Sequence, residues 1–394
     1  MARLGDICYK ITDGSHNPPS GVPYSEFLML SSKNIYDDCI TYDDPRYLCR
    51  EDFESENKRT QIEAGDILLT IVGTVGRVAV VPEKAKSICL QRSVAVIKPR
   101  TDIVLPRFLM YQIQNMKDIL EKEAKGVAQK GIYLKQVESL SVGIFEYDIQ
   151  KKIVYQLDGI SKLISLRKQQ LLKLDELVKS RFIEMFGDPV TNPFGWRKLT
   201  VQQAIGEKII DKPLDGNHGG KHPKTSDYVP SGIPFIMANN LVAGKVDLEN
   251  CAFISRKQAD SLDKGFAKDG DVLITHKGTI GRTAILHCSY PYIMLTPQVT
   301  YYRPKIGIIP EYLKAYFDTD YFQGIIGNIA SVGSTRAYIG ITAQQELPLI
   351  VPPMEVQEQY AAYVEQTDKS KLAIQQSLEK LETLKKALMQ KYFG

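Results

Sequence analysis

The sequence has 394 residues, long enough for two domains, and its 43% hydrophobic and 24% charged residues are typical of a soluble globular protein. The net charge of +4 permits a nucleic-acid partner without requiring one. No stretch approaches the roughly 18 unbroken apolar residues of a membrane span, the N-terminus lacks the apolar core of a signal peptide, and the six cysteines show no CxxC spacing, so we expect a cytoplasmic protein with reduced thiols and no membrane association.

The first part of the chain is predicted to consist of short strands separated by turns. The runs ILLTIV, RVAVV and SVAVIKP are rich in Val and Ile and bounded by Gly or Pro, as strands usually are. Between the first two runs, GTVGR at 73–77 predicts a hairpin whose glycines take positive φ. The sequence FLMYQIQNMKDILEKEA at 108–124 predicts a helix within this part.

A long helix with a heptad pattern follows. It begins near EYDIQKK at 146–152, where acidic residues precede basic ones, and its apolar residues recur in steps of three and four from Ile153 to Met185. The sequence FGDPVTNPFGW at 186–196 then ends the helix with Gly and Pro residues and starts the next domain.

The second half of the chain repeats the first. GDILLTIVGTVGRVAV at 65–80 and GDVLITHKGTIGRTAI at 270–285 share nine of sixteen residues. DGSH at 13–16 likewise parallels DGNH at 215–218, and the two helical sequences align when their final glycines are matched. The chain is therefore one unit of about 190–200 residues written twice in tandem.

We predict that the two long helices pack as an antiparallel coiled coil. Each seam is imperfect alone, because Arg167 and Arg181 of the first helix correspond to Ile374 and Leu388 of the second. The alternative is two ordinary surface helices, each packed on its own domain. The predicted residues of the helix-pair interface are Ile153, Leu157, Ile160, Ile164, Leu171, Leu174, Val178, Val364, Ile374, Leu378, Leu381 and Leu388.

The predicted fold class is α+β, with two tandem-duplicated α/β domains separated by the two long helices. The first domain is expected at 1–148, the central helix at 149–187, the second domain at 188–350 and the C-terminal helix at 351–394.

The motifs of catalytic and metal sites are incomplete. The GTVGR segment lacks the Lys-Ser/Thr pair and the following helix of a phosphate-binding loop. NPPS at 17–20 lacks the aromatic residue that adenine methyltransferases stack on a flipped base, and His218 and His222 are separated by two glycines. We therefore predict no catalytic residue and no metal site.

Loops with polar and basic tips recur in both halves, as in DGSHNPP and DGNHGGKHP. Such side chains read base edges or hold phosphates in DNA complexes, although they could equally form solvated turns. The GTxGR segment is likewise either a structural hairpin only or one that presents its arginine to DNA. The candidate DNA-binding residues are His16, Asn17, Asn34, Arg77, Arg92, Lys130, His218, Lys221, Asn239, Lys277, Arg282 and Arg336.

The order of these motifs resembles the specificity subunit of type I restriction–modification systems over the whole chain. The DG[ST]H-type turns, the GDxLxxxxGTxGR hairpins, the long helices and the FGDPxxNxxGW linker carry the resemblance. The PP-x-x-x-Q element of that family is present as PPMEVQEQ at 352–359. FEYDIQKK at 145–152 keeps Gln150 but lacks both prolines.

The resemblance implies that each β-rich domain is a target recognition domain that reads one half of an asymmetric, split site in double-stranded DNA. The helices would set the spacing and dock two modification (methyltransferase) subunits, which bind S-adenosylmethionine and methylate adenine at N6, and a restriction (motor-nuclease) subunit would join them. The chain itself would be non-catalytic and hold no cofactor.

Two alternatives stay open at this point. A self-contained restriction–modification enzyme would need an aromatic-ended NPP loop and a nuclease carboxylate cluster. A coiled-coil assembly scaffold without a DNA role would leave the paired basic loops without a purpose.

Overall fold

The structure, a computed structural model, describes residues 1–124, 131–331 and 337–394. It divides into two compact units. Unit 1 contains Met1–Lys168 and Gln376–Gly394, and unit 2 contains Gln169–Gln375. The division falls within both long helices, so each unit consists of a mixed α/β domain with one segment of each helix.

The domain of unit 1 is built on a sheet with the strand order β2-β10-β7-β8, beside a second sheet with the order β6-β3-β9 and the pairs β4-β5 and β1-β11. Strand β3 pairs with β9 in parallel, whereas the other pairs are antiparallel. The strands are β1 Ala2–Arg3, β2 Cys8–Asp13, β3 Phe27–Leu30, β4 Ile35–Tyr36, β5 Cys39–Ile40, β6 Arg46–Leu48, β7 Ile67–Thr70, β8 Val78–Val80, β9 Ile88–Leu90, β10 Val94–Pro99 and β11 Ser141–Val142. The helices are α1 Arg50–Thr60, α2 Pro106–Asn115, α3 Lys117–Glu123, α4 Leu134–Ser139 and the long α5 Tyr147–Phe186.

The predicted strands of the first half are confirmed as β7, β8 and β10. The prediction of one helix over 108–124 is wrong, because the chain forms α2 and α3 with a break at Met116. The backbone there takes φ −89° and ψ 6°, outside the α-helical range, and the Met116 N–H bonds to the Ile113 carbonyl three residues earlier.

Unit 2 repeats this plan with additions. Its main sheet has the order β13-β23-β20-β21-β17-β16, a second sheet has the order β14-β18-β15-β22-β19, and β12 pairs with β24. The strands are β12 Arg197–Thr200, β13 Leu214–Asp215, β14 Tyr228–Val229, β15 Ile233–Ile236, β16 Leu241–Val242, β17 Lys245–Val246, β18 Ala252–Ile254, β19 Phe266–Ala267, β20 Val272–Lys277, β21 Thr279–Ile285, β22 Ile293–Leu295, β23 Val299–Tyr302 and β24 Pro348–Val351. The helices are α6 Val201–Gly206, α7 Arg256–Asp260, α8 Pro310–Phe317, α9 Asp320–Ser331, α10 Ile341–Gln345 and the long α11 Met354–Phe393. The order β13-β23-β20-β21 matches β2-β10-β7-β8, so the tandem duplication holds at the level of strand order.

The segments of the two long helices run antiparallel in each unit. In unit 1, the Tyr392 hydroxyl donates to Gln156 Oε1 over 2.5 Å, and Lys168 pairs with Glu382 at 2.9 Å. As the residue numbers rise along α5, the numbers of the contacting residues on α11 fall, so the two helices run in opposite directions. In unit 2, Lys371 pairs with Asp175 at 2.7 Å, and further along α5 the Phe182 ring meets Tyr360 edge-on.

One glutamine fixes the start of each long helix to its domain. Gln150 accepts from the Leu105 N–H and donates to the carbonyls of Ile103 and Phe145, and it is fully buried. Gln357 does the same with Ile309, Gly307 and Pro352 in unit 2. The turn before α5 therefore keeps its form without the two prolines that precede α11.

The linker after α5 is an ordered structure of unit 2. Asn192 donates to the Trp196 carbonyl and accepts from its N–H, and the Trp196 indole N–H donates to the Phe186 carbonyl over 3.0 Å. Gly187 takes φ +79°, and a Cβ there would lie 2.5 Å from Pro193, so the position requires glycine.

Candidate nucleic-acid interface

Each unit contains an aspartate–histidine pair at its Asp-Gly turn. In unit 1, His16 Nε2 lies 2.8 Å from Asp13 Oδ2, and Arg59 Nη2 donates to Asp13 Oδ1 over 2.5 Å. These three residues form the first Asp–His cluster. Asp13 and its counterpart Asp215 in unit 2 are buried, whereas the side chains of His16 and His218 are about half exposed.

The second Asp–His cluster consists of Asp215, His218 and Lys264. His218 Nε2 lies 2.6 Å from Asp215 Oδ2, and Lys264 donates to Asp215 Oδ1. Burial raises the pKa of Asp215, but the hydrogen bonds from Lys264 and His218 outweigh that effect and hold the pKa below its ordinary value. The carboxylate therefore stays charged and keeps Lys264 and His218 in place.

The glycine of each turn permits a close approach to a neighbouring strand. A Cβ on Gly14 would lie 2.1 Å from the Leu90 carbonyl oxygen, and one on Gly216 would lie 1.9 Å from that of Leu295. No side chain fits at these distances, so the glycine of each Asp-Gly-x-His sequence is required for packing as well as for the turn.

A further histidine lies beside the second cluster. His276 is almost fully buried, its Nδ1 is 2.9 Å from the Ile339 carbonyl oxygen, and its Nε2 is 3.9 Å from Asp215 Oδ2 without a hydrogen-bond partner in the part of the chain that the structure describes. Burial lowers its pKa. The corresponding residue of unit 1 is Ile71, so this feature belongs to unit 2 alone, and sequence reasoning did not predict it.

The predicted GTxGR hairpin is confirmed, with Gly73 and Gly76 at φ +82° and +91° between β7 and β8. The Arg77 N–H donates to Thr70 Oγ1 over 2.9 Å, and the half-buried Arg77 guanidinium lies 4.8 Å from the Tyr36 ring centre. The hairpin therefore supports the arginine on an aromatic face.

The hairpin of unit 2 repeats the backbone contact and presents its cations differently. The Arg282 N–H donates to Thr275 Oγ1 over 3.0 Å, whereas the Arg282 side chain is exposed. Lys277 lies 5.8 Å from the Tyr338 ring centre. The two hairpins therefore share the backbone-to-threonine hydrogen bond but place their basic side chains in different environments.

The Gly-Asp pair that opens each hairpin motif is structural. Asp66 accepts from the Glu63 N–H over 2.8 Å and pairs with Lys98 at 2.6 Å. Asp271 similarly accepts from a backbone N–H and pairs with Arg303 at 2.8 Å. Burial raises the pKa of both carboxyls. These paired cations brace strands and do not belong to the candidate interface.

The remaining candidates occupy different environments. Asn17, Arg92 and Asn239 are exposed, and Lys221 forms an exposed ion pair of 2.5 Å with Asp263. Two further candidates, Lys130 and Arg336, lie outside the described residues.

Asn34 does not fit a DNA-contacting role. It is 1% exposed, accepts from the Ser31 N–H and donates to the Asp43 carbonyl, so its amide is used inside the fold. Its counterpart is Asn240, which bonds the Met237 N–H in the same way. Asn239 is one position off this register, which explains why it is exposed.

The predicted interface residues of the long helices are all buried or half-buried, with Ile153, Leu157 and Leu378 buried most fully. The two arginines in the predicted seam are also half-buried. The sequence did not predict the aromatic residues near the C-terminal end of α5. Phe182 and Phe186 of α5 contact Tyr312 and Tyr360 in unit 2, with ring centres 4.7–5.7 Å apart.

Across residues 1–124, 131–331 and 337–394, no cluster of three or more His, Cys, Asp or Glu side chains is arranged to hold a metal ion. Within the same ranges, no helix has the length and apolar character needed to cross a membrane. All six cysteines are free thiols.

The chain is similar to known specificity subunits in sequence. It is 26% identical over 207 residues to the type I restriction enzyme EcoBI specificity subunit of Escherichia coli, an alignment that covers 51% of this chain and 42% of that protein. It is 19% identical over 340 residues to the MjaVIII specificity subunit of Methanocaldococcus jannaschii, covering 84% and 79% of the two chains. The chain thus spans less than half the length of the first relative.

Its fold is similar to solved structures. A type I restriction–modification S subunit from M. genitalium superposes with a TM-score of 0.59 at 12% identity, covering 100% of this chain and 95% of the other. A chain from a structure on complex assembly and conformational transition of the type I R-M system superposes with a TM-score of 0.57 at 18% identity, covering 100% and 96%.

Residues 25–176 and 214–385 each match the family described as the type I restriction modification DNA specificity domain. The two matches follow the internal duplication and together span more than half of the sequence, and the chain therefore belongs to the type I restriction modification DNA specificity domain family.

Proposed function

We propose that this chain is the non-catalytic DNA specificity subunit of a type I restriction–modification complex, in which each unit reads one half of an asymmetric, split site in double-stranded DNA. The observation that carries this proposal is that the two units share a strand framework but differ in their exposed loops. Both units have an Asp–His cluster and a GTxGR hairpin on matching strands, but their exposed tips differ in sequence and length.

The largest difference between the loops follows the Asp–His clusters. His218 and Gly232 are 14 positions apart in unit 2, whereas His16 and Gly21 are 5 apart in unit 1, so the second loop is longer by nine residues. The longer loop carries Lys221 on an exposed 3-10 turn. Because base readout depends on the side chains that reach a groove, unlike loops favour unlike half-sites.

The long helices suit a spacing role. Each has 40 residues, which corresponds to about 60 Å at roughly 1.5 Å per residue. This length exceeds one turn of DNA, about 34–36 Å. It supports the proposal that the helices set the gap between the half-sites.

The outer face of α5 offers a surface for partner subunits. Tyr155 is 82% exposed, and Leu163 and Leu166 are also exposed on the side of α5 opposite Ile153 and Leu157. Gly159 lies between them and leaves a shallow, mostly apolar groove. We propose that two methyltransferase subunits, which hold S-adenosylmethionine, dock on the helices, and that restriction subunits join this assembly.

Selection from a random DNA library tests the proposal. The full chain is mixed with its methyltransferase subunits, and the bound DNA is enriched and sequenced. We expect two unlike half-sites separated by a gap of constant length. Enrichment of no sequence, or of one uninterrupted motif, would contradict the proposal, because neither requires two reading units.

A further inference from the structure

The Asp–His cluster recurs in both units, although the loops beside it differ. The pair Asp13–His16 and the pair Asp215–His218 have the same spacing, the same Nε2-to-Oδ2 contact and the same kind of cation on the other carboxylate oxygen. A cluster that recurs with the same geometry in two domains with unlike loops suits a contact that does not depend on the DNA sequence. In DNA, that contact is the phosphodiester backbone.

The geometry leaves one nitrogen of each histidine ring for an external partner. The aspartate is hydrogen-bonded to Nε2 alone, and among the described residues Nδ1 of neither His16 nor His218 has a hydrogen-bond partner. The side chains remain 53% and 45% exposed, whereas the aspartates that hold them are buried. The aspartate therefore fixes the orientation of each ring, and Nδ1 can bond to a group outside the protein.

We propose that His16 and His218 each bind a phosphodiester oxygen of the DNA backbone, one in each half-site, and that Asp13 and Asp215 are the positioning residues that orient them; this proposal rests on the proposed DNA-reading function. A phosphate oxygen only accepts hydrogen bonds, and so does a carboxylate. Both ring nitrogens must therefore carry a proton in the complex. Nε2–H donates to the aspartate and Nδ1–H donates to the phosphate, and a ring that was neutral before binding takes up one proton from solvent.

Several charged and titratable groups face each ring. His16 faces Asp13, whose second oxygen is paired with Arg59. His218 faces Asp215 and Lys264, and it interacts electrostatically with the imidazoles of His222 and His276. Arg59 and Lys264 hold the second oxygen of each aspartate, so the first oxygen stays directed at Nε2 of the histidine.

A methylphosphonate scan of the selected split site tests the contact directly. Each phosphate in turn is replaced by its uncharged methylphosphonate, and affinity is measured with the wild-type chain and with His16→Gln and His218→Gln. Both substituted side chains are about half exposed and lie at loop surfaces, so the variants should fold. The matched control is His287→Gln, which changes an exposed histidine outside both clusters.

We expect each of the two variants to bind more weakly to any DNA sequence and to lose the effect of one methylphosphonate, at a position in one half-site for His16→Gln and in the other for His218→Gln. The salt dependence of log affinity should fall by about one unit of slope for each lost phosphate contact. Unchanged methylphosphonate profiles in both variants, with wild-type selection of the split site intact, would overturn this proposal and leave the proposed function standing.

The pH dependence separates a positioning role from a merely structural one. Because each ring must carry a second proton in the complex, wild-type affinity should fall as the pH rises, by up to about tenfold per pH unit for each proton taken up on binding. His16→Gln should make the profile flatter. Asp13→Asn keeps an oxygen that can accept from Nε2 but removes the negative charge beside the ring, so it should weaken binding at a fixed pH and change the pH profile of the affinity. A profile unchanged in both variants would contradict the positioning role.

Discussion

Arg107 forms a salt bridge with Asp158, in which Nε donates to both carboxylate oxygens and Nη2 donates to Oδ1, over 2.7–2.9 Å. The same guanidinium donates to both oxygens of Asp38 over 2.8–2.9 Å. Arg107 belongs to α2, Asp158 to α5 and Asp38 to the turn after β4, so one side chain joins three parts of unit 1.

Replacing Arg107 should therefore destabilise unit 1. Arg107→Ala leaves Asp38 and Asp158 without their shared cation, and we expect the free energy of unfolding to fall by about 2–3 kcal/mol. The matched control is Arg50→Ala, which removes an exposed arginine whose contact with Glu26 is 3.7 Å long. Urea unfolding measures both. An equal loss of unfolding free energy in the two variants would show that the contacts of Arg107 with Asp38 and Asp158 do not stabilise unit 1 beyond an exposed ion pair.

Gly216→Ala should disrupt the second Asp–His cluster. The added Cβ would lie 1.9 Å from the Leu295 carbonyl oxygen, so the backbone must shift and we expect a loss of at least about 3 kcal/mol in stability. Gly220→Ala is the control, because its Cβ meets open space within the same loop. Thermal unfolding of the two variants gives the comparison, and a tolerated Gly216→Ala would argue against the close approach.

The stability of unit 2 should depend on pH through His276. Burial holds the folded-state pKa below the ordinary value, so the unfolded chain binds a proton first as the pH falls. Stability is therefore retained above about pH 6.5, the unfolded value, and is lost as the pH drops from there toward the folded pKa, by up to about 1.4 kcal/mol per pH unit. Urea unfolding at pH 7 and pH 5 should show a smaller loss in His276→Ile, which carries the residue found in unit 1. An equal loss in both proteins would assign the acid sensitivity elsewhere.

Lengthening the long helices should widen the gap in the DNA site. One heptad inserted at matching positions of α5 and α11 keeps the seam in phase and adds about 10 Å at 1.5 Å per residue. At roughly 3.4 Å per base pair, the selected gap should grow by about three base pairs. An insertion of equal length in an exposed loop is the control. A gap that stays constant in the lengthened protein would rule out a spacing role for the helices.

The parts of this structure that sequence predicted are those with a local or repeated signal. Alternating Val and Ile runs, positive-φ glycines and heptad spacing depend on neighbours along the chain, so the GTxGR hairpin and α5 follow from them. The Asp13–Arg59 contact joins residues 46 positions apart, and no periodicity connects them. His276 gave no signal for the same reason, since its partner Ile339 is 63 positions away.

The mistaken assignment of Asn34 has a related cause. Asn is common both at DNA surfaces and in capping turns, and only burial separates the two roles. The aligned Asn240 would have revealed the cap, because two copies with the same Ser/Met-x-x-Asn spacing before a strand indicate a shared turn.

The central claim, that each unit reads its own half-site, is tested most directly by repeating the random-site selection with a chain altered in one unit. Deleting residues 219–227 removes the nine extra residues of the second loop and gives it the length found in unit 1. The account predicts that one half-site changes or becomes degenerate, while the other half-site and the gap stay as in the wild type. Loss of specificity in both half-sites by a variant that remains folded, or no change in either, would contradict it.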